Sequence, residues 1–126
     1  TIPLFDTEKR LKKAINKVKT NLLEPGEPKD PDDSTVFQLW SAFADPEGTA
    51  SMRKAFEEGI AWGEAKKQLF ELVNDELSAP REEYERLIAD PGHIESVLQK
   101  GAEKAREHSA PLMAKVREAV GIRPMA

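Results

Sequence analysis

Residues 59–87 read GIAWGEAKKQLFELVNDELSAPREEYERL, and this stretch decides the fold of the chain. Apolar residues recur in it at spacings of three and four, which is typical of an amphipathic α-helix with one buried side. Pro80 has no backbone N–H and its ring presses on the carbonyl of Glu76, so the pattern predicts a kink, or a break and a restart. The predicted buried stripe consists of Ala65, Leu69, Leu72, Val73, Leu77, Pro80, Tyr84 and Leu87.

The composition of the 126 residues favours a single all-α domain. Hydrophobic residues make up 39% and charged residues 33%, which allows a modest core, and strand-like runs of β-branched and aromatic residues are missing. The chain has no cysteine, which excludes disulfides and thiolate metal sites and leads us to expect a reducing, cytoplasmic location. No apolar run approaches about 18 residues, so neither a membrane span nor a signal peptide is predicted.

The remaining pattern predicts four further helices around the central one. Together they form a helical bundle of about five helices, two of them long and kinked by proline, at Pro80 and Pro111. Residues 45–48 are predicted to form a turn. The four further helices run from a cap at Thr7 or Asp6 to about Thr20, from a Ser34 cap to Phe43, from a Thr49 cap to Gly59, and from an Asp90–Pro91 start to Gly121. The last helix continues the core stripe through Ile94, Val97, Leu98, Gly101, Ala105, Leu112, Met113, Val116 and Val120.

Charge is distributed unevenly along this single predicted domain, residues 1–126. The net charge of −4 argues weakly against nucleic-acid binding, but residues 1–22, the basic first helix, carry six Lys/Arg against two acids. The last helix is also basic, so the two helices can present a positive face, with ordinary solvated helix surface as the alternative. Residues 23–33 hold three prolines, a glycine and an excess of acids, and are predicted to be a mobile loop. Residues 34–126 form the helical bundle.

The chain offers little for catalysis. His93 and His108 lie 15 residues apart, without a partner at metal-ligand spacing, so no metal site and no catalytic residue are predicted. Trp40 and Trp62 can stack on nucleic-acid bases, although a tryptophan in a small helical domain is more often part of the core. From its residues alone, the domain is predicted to bind or position something.

At residues 62–67, WGEAKK, the sequence resembles bacterial tryptophanyl-tRNA synthetase. Residues 11–21, LKKAINKVKTN, look like the helix that follows the KMSKS loop of that family, with departures at Ala14, Val18 and Asn21. The order of several short matches over nearly the whole chain carries the resemblance. The further matches are residues 80–84 (PREEY), 101–106 (GAEKAR) and 116–121 (VREAVG), with an enlarged family loop at residues 27–31.

The resemblance implies the C-terminal anticodon-binding domain of a class I aminoacyl-tRNA synthetase, with a Rossmann catalytic domain preceding it. The implied parent is a homodimeric ligase that joins tryptophan to its tRNA with ATP and Mg²⁺ during translation. The piece in hand would contact the tRNA anticodon stem-loop and its own catalytic domain. We expect it to be monomeric, without a cofactor and inactive alone. The alternative is a non-catalytic helical interaction or scaffold module, which the net charge of −4 favours.

An anticodon loop needs a protein face with cations and a stacking group. Arg81 and Arg106 can each form a forked contact with a phosphate or a base edge. Tyr84 lies on the apolar stripe, so a core position is its alternative, and Lys66 and Lys67 have ordinary surface charge as theirs. The predicted tRNA-binding residues are Lys66, Lys67, Arg81, Tyr84, Lys104 and Arg106.

Overall fold

The computed structural model describes residues 2–122, which form five α-helices and contain no strand. The helices are α1 (Glu8–Asn16), α2 (Thr35–Phe43), α3 (Pro46–Glu57), α4 (Trp62–Ala89) and α5 (Pro91–Ala119). The prediction of an all-α fold with about five helices, two of them long, is confirmed. No helix of residues 2–122 is long and apolar enough to cross a membrane. Contacts divide the chain into two compact units, Thr1–Tyr84 and Glu85–Ala126.

Helix α1 ends earlier than its sequence pattern predicts. Its last residue is Asn16, whereas the apolar spacing extends the helix to about Thr20. The ammonium group of Lys66 donates hydrogen bonds to the carbonyls of Asn16 and Val18, at 3.1 and 2.7 Å. These bonds satisfy carbonyls that a helix end leaves without partners, so a contact distant in sequence lets the chain leave the helix here.

Helix α3 begins where the sequence predicts a turn. The side chain of Asp45 accepts a hydrogen bond from the amide of Gly48 at 2.6 Å, and Pro46 occupies the first turn of the helix. Proline is favoured there because its missing N–H would have no helical partner. The predicted turn over residues 45–48 and the predicted Thr49 cap are therefore wrong. The Ser34 cap of α2 is confirmed, since its hydroxyl accepts from the amide of Phe37 at 3.3 Å.

The core of the first unit is built around the start of α4. The ring of Phe56 packs edge-on against the rings of Phe37 and Trp62, with 5.5 Å between centroids in both pairs. The buried apolar residues are Leu11, Ile15, Val36, Phe37, Met52, Phe56, Ala65, Leu69, Val73 and Leu77. Every fourth residue of α4 from Ala65 to Leu77 thus belongs to one core with buried side chains of α1, α2 and α3.

The second half of α4 departs from its predicted burial. Pro80 lies inside the helix, so a break and restart does not occur, whereas the predicted kink stays a prediction. Pro80 is exposed and Tyr84 is 40% exposed, so the prediction that the buried stripe continues to Leu87 is wrong. The pattern of spacings is as predicted, but burial in this unit stops at Leu77.

The proline-rich segment, residues 23–33, is tied to the end of α3. The side chain of Lys29 is 2% exposed, and its ammonium group donates to the carbonyls of Glu24 and Glu27, both at 2.9 Å. The backbone amide of Lys29 donates to the carbonyl of Phe56 at 2.9 Å. The expectation that this segment makes few backbone bonds and buries little is wrong. Its mobility stays a prediction, and these contacts oppose it.

Two glycines make the closest backbone approach in this region. The amide of Gly26 donates to the carbonyl of Gly59 at 2.8 Å. Gly59 has a φ of +90°, and a Cβ atom placed on it would lie 2.5 Å from the carbonyl carbon of Gly26. Glycine is required at position 59 both for its left-handed backbone and for this approach.

The second unit contains α5, whose start and end agree with the sequence. The carboxylate of Asp90 accepts from the amide of His93 at 3.0 Å, with Pro91 in the first turn. Gly121 ends the helix with a φ of +77°. The predicted core stripe is wrong, however, because no residue of α5 is buried. Leu98 and Leu112 are each 62% exposed.

Candidate nucleic-acid interface

The two predicted lysines at the start of α4 have different surroundings. Lys66 donates to the carbonyl of Asn16, the last residue of α1, and to that of Val18 just beyond it, where a positive charge is also favoured by the helix dipole. Lys67, the next residue, is exposed. Lys66 therefore holds α1 against α4 through its ammonium group, and Lys67 is the one of this pair whose charge faces solvent.

Among the predicted residues, Arg81 and Tyr84 lie three residues apart on α4 and combine hydrogen-bond donors that have no partner with an exposed aromatic ring. The Nη1 atom of Arg81 donates to the Oδ1 atom of Asn74 at 3.2 Å. Its Nε and Nη2 atoms are buried and have no hydrogen-bond partner within residues 2–122. Buried donors without partners are costly, so an anionic group that accepted from them would stabilise the complex it formed.

The ring of Tyr84, three residues after Arg81, completes this group. It stacks on the ring of Phe5, with centroids 4.9 Å apart and planes inclined by 13°. Tyr84 is exposed rather than part of the core, so the alternative considered for it is wrong. Residues three apart on a helix are neighbours, so α4 places a guanidinium with unused donors beside an accessible aromatic surface.

Lys104 and Arg106 lie on α5, in the second unit, and both are exposed. Two residues apart on a helix, they point about 200° apart, so they do not form one cluster. Arg106 lines a shallow cavity of about 330 Å³ that also contains Glu95 and Glu103. Along α4, Arg81 lies about 22 Å from Lys66, since each residue adds about 1.5 Å. Within the first unit, the structure thus brings together Arg81 and Tyr84 and leaves Lys66 and Lys67 at the other end of α4.

Both tryptophans are engaged in the packing of the first unit. The indole N–H of Trp62 donates to the side-chain oxygen of Asn21 at 3.1 Å, and that of Trp40 donates to the carbonyl of Gly48 at 3.1 Å. The ring of Trp62 also lies 5.5 Å from the ammonium group of Lys29. Base stacking by either ring would break these contacts, which favours their structural interpretation.

One ion pair of the first unit, formed by Asp32 and Arg53, lies outside the predicted site. Arg53 binds Asp32 through two hydrogen bonds, at 2.7 and 3.1 Å. The hydrogen bond from Arg53 holds the pKa of Asp32 below its ordinary value of 3.8, with a smaller contribution from the positive charge of Arg53. This pair links the proline-rich segment to α3. Within residues 2–122, no three His, Cys, Asp or Glu side chains meet to hold a metal ion.

One cationic feature lies outside the set of predicted site residues. Lysines of α1 and of the residue that ends it, Lys9, Lys13 and Lys17, lie at intervals of four residues and are exposed. Their charge is evident in the sequence, but the predicted site does not include them. Their regular spacing is the signal that identifies them, because residues four apart share one side of a helix.

Comparison with known proteins gives close matches along the chain. It is 52% identical over 125 residues to the tryptophan–tRNA ligase of Neisseria meningitidis serogroup A, covering 99% of this chain and 37% of that protein. It is 51% identical over 125 residues to the tryptophan–tRNA ligase of Pseudomonas aeruginosa, covering 99% of this chain and 28% of that protein. The matched part is the C-terminal portion of these relatives.

A solved structure agrees with these matches. The crystal structure of tryptophanyl-tRNA synthetase from Campylobacter jejuni, complexed with ADP and tryptophan, superposes with a TM-score of 0.90 at 35% identity. The superposition covers 96% of this chain and 38% of that one. No family model matches the chain. The chain therefore spans well under half the length of the relatives it matches.

Proposed function

Since this chain belongs to the tryptophan–tRNA ligase family, we propose that it acts as the tRNA-binding C-terminal domain of such an enzyme. The observation that carries the proposal is 52% identity over 99% of the chain to a tryptophan–tRNA ligase. In the proposal, the full-length enzyme attaches tryptophan to its tRNA with ATP, and this domain contacts the anticodon stem-loop. A helical scaffold module is not favoured, because the relatives are ligases.

The proposal assigns ATP and Mg²⁺ to the part of the enzyme outside this chain. The residues present do not fit a metal ion, since residues 2–122 bring together no cluster of three possible ligands. In the proposal, this domain contributes binding and positioning.

Within the domain, Arg81 and Tyr84 are the best-supported contact residues. In the proposal, the side chain of Arg81 turns outward when RNA binds, and its Nε and Nη2 donors, buried and without partners in the structure, then form the fork that recognises a phosphate or a base edge. Tyr84 offers an exposed ring for stacking on an unpaired base. Lys67, Lys104 and Arg106 add exposed charges, and Lys66 acts by fixing α1.

The test is the double variant Arg81→Ala, Arg106→Ala in the full-length enzyme. Each lost charged contact should cost on the order of 1–3 kcal/mol, so the kcat/KM for tRNA charging should fall by about tenfold or more. Tryptophan-dependent ATP–pyrophosphate exchange should change little. Lys54→Ala, which removes an exposed cation of α3, is the matched control. Unchanged charging by the double variant, with the fold intact by circular dichroism, would exclude both arginines from the site.

The proposal also names a second partner, the catalytic part of the same enzyme. Helix α5 has 29 residues and buries none of them, although Ile94, Leu98, Leu112 and Val116 lie on one side. A helix gains most of its stability from packing an apolar side, so this side requires a cover. More than half of each full-length relative lies outside the matched part, which makes it the occupant we propose.

Charged substitutions on the apolar side of α5 distinguish between the surfaces that could pack on it. Leu98→Glu with Leu112→Glu should lower the thermal midpoint of the full-length enzyme by several degrees and leave the isolated chain nearly unchanged. Lys100→Glu, on the opposite side of α5, is the control. A second copy of the chain is the competing occupant. A tight dimer of the isolated chain that the Glu variants dissociate, with the full-length enzyme unaffected, would overturn docking on the catalytic part.

A further inference from the structure

The outward side of α1 carries a row of lysines without counter-charges. Lys9, Lys13 and Lys17, which we call the lysine row, follow one another at about 6 Å along the helix axis. Within residues 2–122, none of the three forms an ion pair with a carboxylate. Arg10 of the same helix does pair, with Asp6 at 3.3 Å.

This arrangement is unfavourable for α1 itself. Like charges four residues apart destabilise a helix, and the row contains two such pairs in succession. The chain has 23 Asp and Glu against 19 Lys and Arg, so a shortage of acids does not explain the missing partners. The helix dipole favours Lys13 in the last turn and Lys17 at the C-cap, but it disfavours Lys9 in the first turn, so the repulsion is only partly offset and a bound anion would relieve the rest.

The row is presented on a fixed helix. Leu11 and Ile15, on the opposite side of α1, are both 0% exposed. The ammonium group of Lys66 holds the end of α1, and that of Lys12 lies 5.5 Å from the ring centroid of Phe70 in α4. Because α1 is anchored to α4, the three charges keep their spacing when a partner binds.

The chemistry of this side selects the class of partner. Insertion of α1 into a membrane surface requires exposed large apolar side chains beside the cations, and the large apolar residues of α1, Leu11 and Ile15, are buried. Lysine is a point charge that binds phosphate without the forked geometry used to read bases. A straight row of such charges suits the regular phosphates of a nucleic-acid backbone.

We infer that the lysine row is a docking surface for the phosphate backbone of an RNA stem, separate from the group formed by Arg81 and Tyr84. The inference rests on the proposed function, which makes tRNA the RNA concerned. Contacts of this kind position an RNA without reading its sequence. The lysine row therefore adds affinity that depends on salt, and the group at Arg81 adds discrimination.

The experiment compares two triple variants of the full-length enzyme, Lys9→Gln, Lys13→Gln, Lys17→Gln and Lys9→Arg, Lys13→Arg, Lys17→Arg. The dissociation constant for tRNA is measured over a series of salt concentrations, and again for an unrelated RNA hairpin. Each lost phosphate contact reduces the slope of log K against log salt by about 0.7–0.9, so the glutamine variant should lose about 2–3. It should bind both RNAs about tenfold or more weakly at low salt, and the arginine variant should retain the wild-type slope.

Thermal unfolding and vesicle binding separate RNA docking from a structural or membrane-binding role of the lysine row. The glutamine variant should unfold at about the same temperature as the wild type, because it removes both the repulsion within the row and the helix-dipole interactions of Lys13 and Lys17, which are of similar size and opposite sign. A lower unfolding temperature, an unchanged salt slope, or loss only of binding to vesicles of anionic lipid would overturn the inference. If both triple variants of the full-length enzyme bind tRNA with the same slope of log K against log salt, the inference is overturned and the proposed function stands. Failure of the wild-type enzyme to bind tRNA overturns both.

Discussion

Helices α4 and α5 look alike in sequence and differ in what covers them. They have 28 and 29 residues, each contains an internal proline, and both carry apolar residues at spacings of three and four. Helix α4 buries four residues from Ala65 to Leu77, whereas α5 buries none. Periodicity shows that a helix has an apolar side, but it does not show whether the cover comes from the same stretch of chain.

The largest expected effect is on the free energy of unfolding, and it tests directly whether α4 and α5 differ in burial. Leu69→Ala removes a side chain of α4 that is 0% exposed, and should lower the free energy of unfolding of the isolated chain by about 2–5 kcal/mol. Leu112→Ala makes the same change in α5 at a residue 62% exposed, and should stay within about 0.5 kcal/mol. Urea unfolding measures both. Equal losses in the isolated chain would show that α5 has a cover within these 126 residues.

The second-largest expected effect on stability comes from replacing a glycine in each of the two units, Gly59 in the first and Gly101 in the second. Gly59→Ala should destabilise the isolated chain by about 2 kcal/mol or more, because φ is +90° and the new Cβ atom would meet the backbone of Gly26. Gly101→Ala in α5 meets nothing within 4 Å and should stabilise the helix by about 0.5–1 kcal/mol. Thermal unfolding of both variants measures the difference. A neutral Gly59→Ala would contradict the close approach.

A smaller effect separates the two neighbouring lysines at the start of α4. Lys66→Ala should cost about 1–2 kcal/mol of stability, since the carbonyls of Asn16 at the end of α1 and of Val18 beyond it lose a charged donor. Lys67→Ala changes an exposed side chain and should be nearly neutral. Chemical denaturation of the isolated chain, without RNA, is the measurement. A neutral Lys66→Ala would return Lys66 to the RNA-binding candidates.

The smallest effect is the pH dependence of the contact between Asp32 and Arg53. The folded state lowers the pKa of Asp32, so the pair stabilises the fold above the ordinary value of 3.8 and loses that contribution as pH falls through the lowered folded pKa. Asp32→Asn should therefore reduce the urea midpoint slightly at pH 6, and the difference should vanish at more acidic pH. Asp33→Asn, at an exposed neighbour, is the control. A difference that persists at acidic pH would show that the charge of Asp32 is not its cause.

The sequence predicts the kind of each element better than its ends. Asp90–Pro91 is interpreted as a helix start and the same pair at Asp45–Pro46 as part of a turn, although a glycine follows both pairs within two residues. The structure shows that both pairs open helices. In residues 23–33 the prolines and acids suggest a segment with few contacts. The carbonyls that bind Lys29 lie within the segment, but Phe56 and Gly59, which bind its backbone, are distant in sequence.

The candidate site is predictable as a set of residue types and not as an arrangement. Arg81 and Tyr84 are selected by their chemistry, and their neighbouring positions follow from helical spacing. The unused donors of Arg81 and the stacking of Tyr84 on Phe5 depend on contacts that spacing does not determine. The same holds for Lys66, which the sequence does not distinguish from Lys67 and which the structure uses to end α1.

The sequence by itself determined the helical class, the apolar side of each helix, the caps at Ser34 and Asp90, and the resemblance to a ligase family. These properties depend on local periodicity and on short runs of residues, which act within a few turns of chain. The tertiary structure decided which apolar sides are buried, which lysines donate hydrogen bonds within the fold, and where the backbone of Gly59 approaches that of Gly26. Those outcomes require groups far apart in sequence to meet, and no local pattern specifies such a meeting.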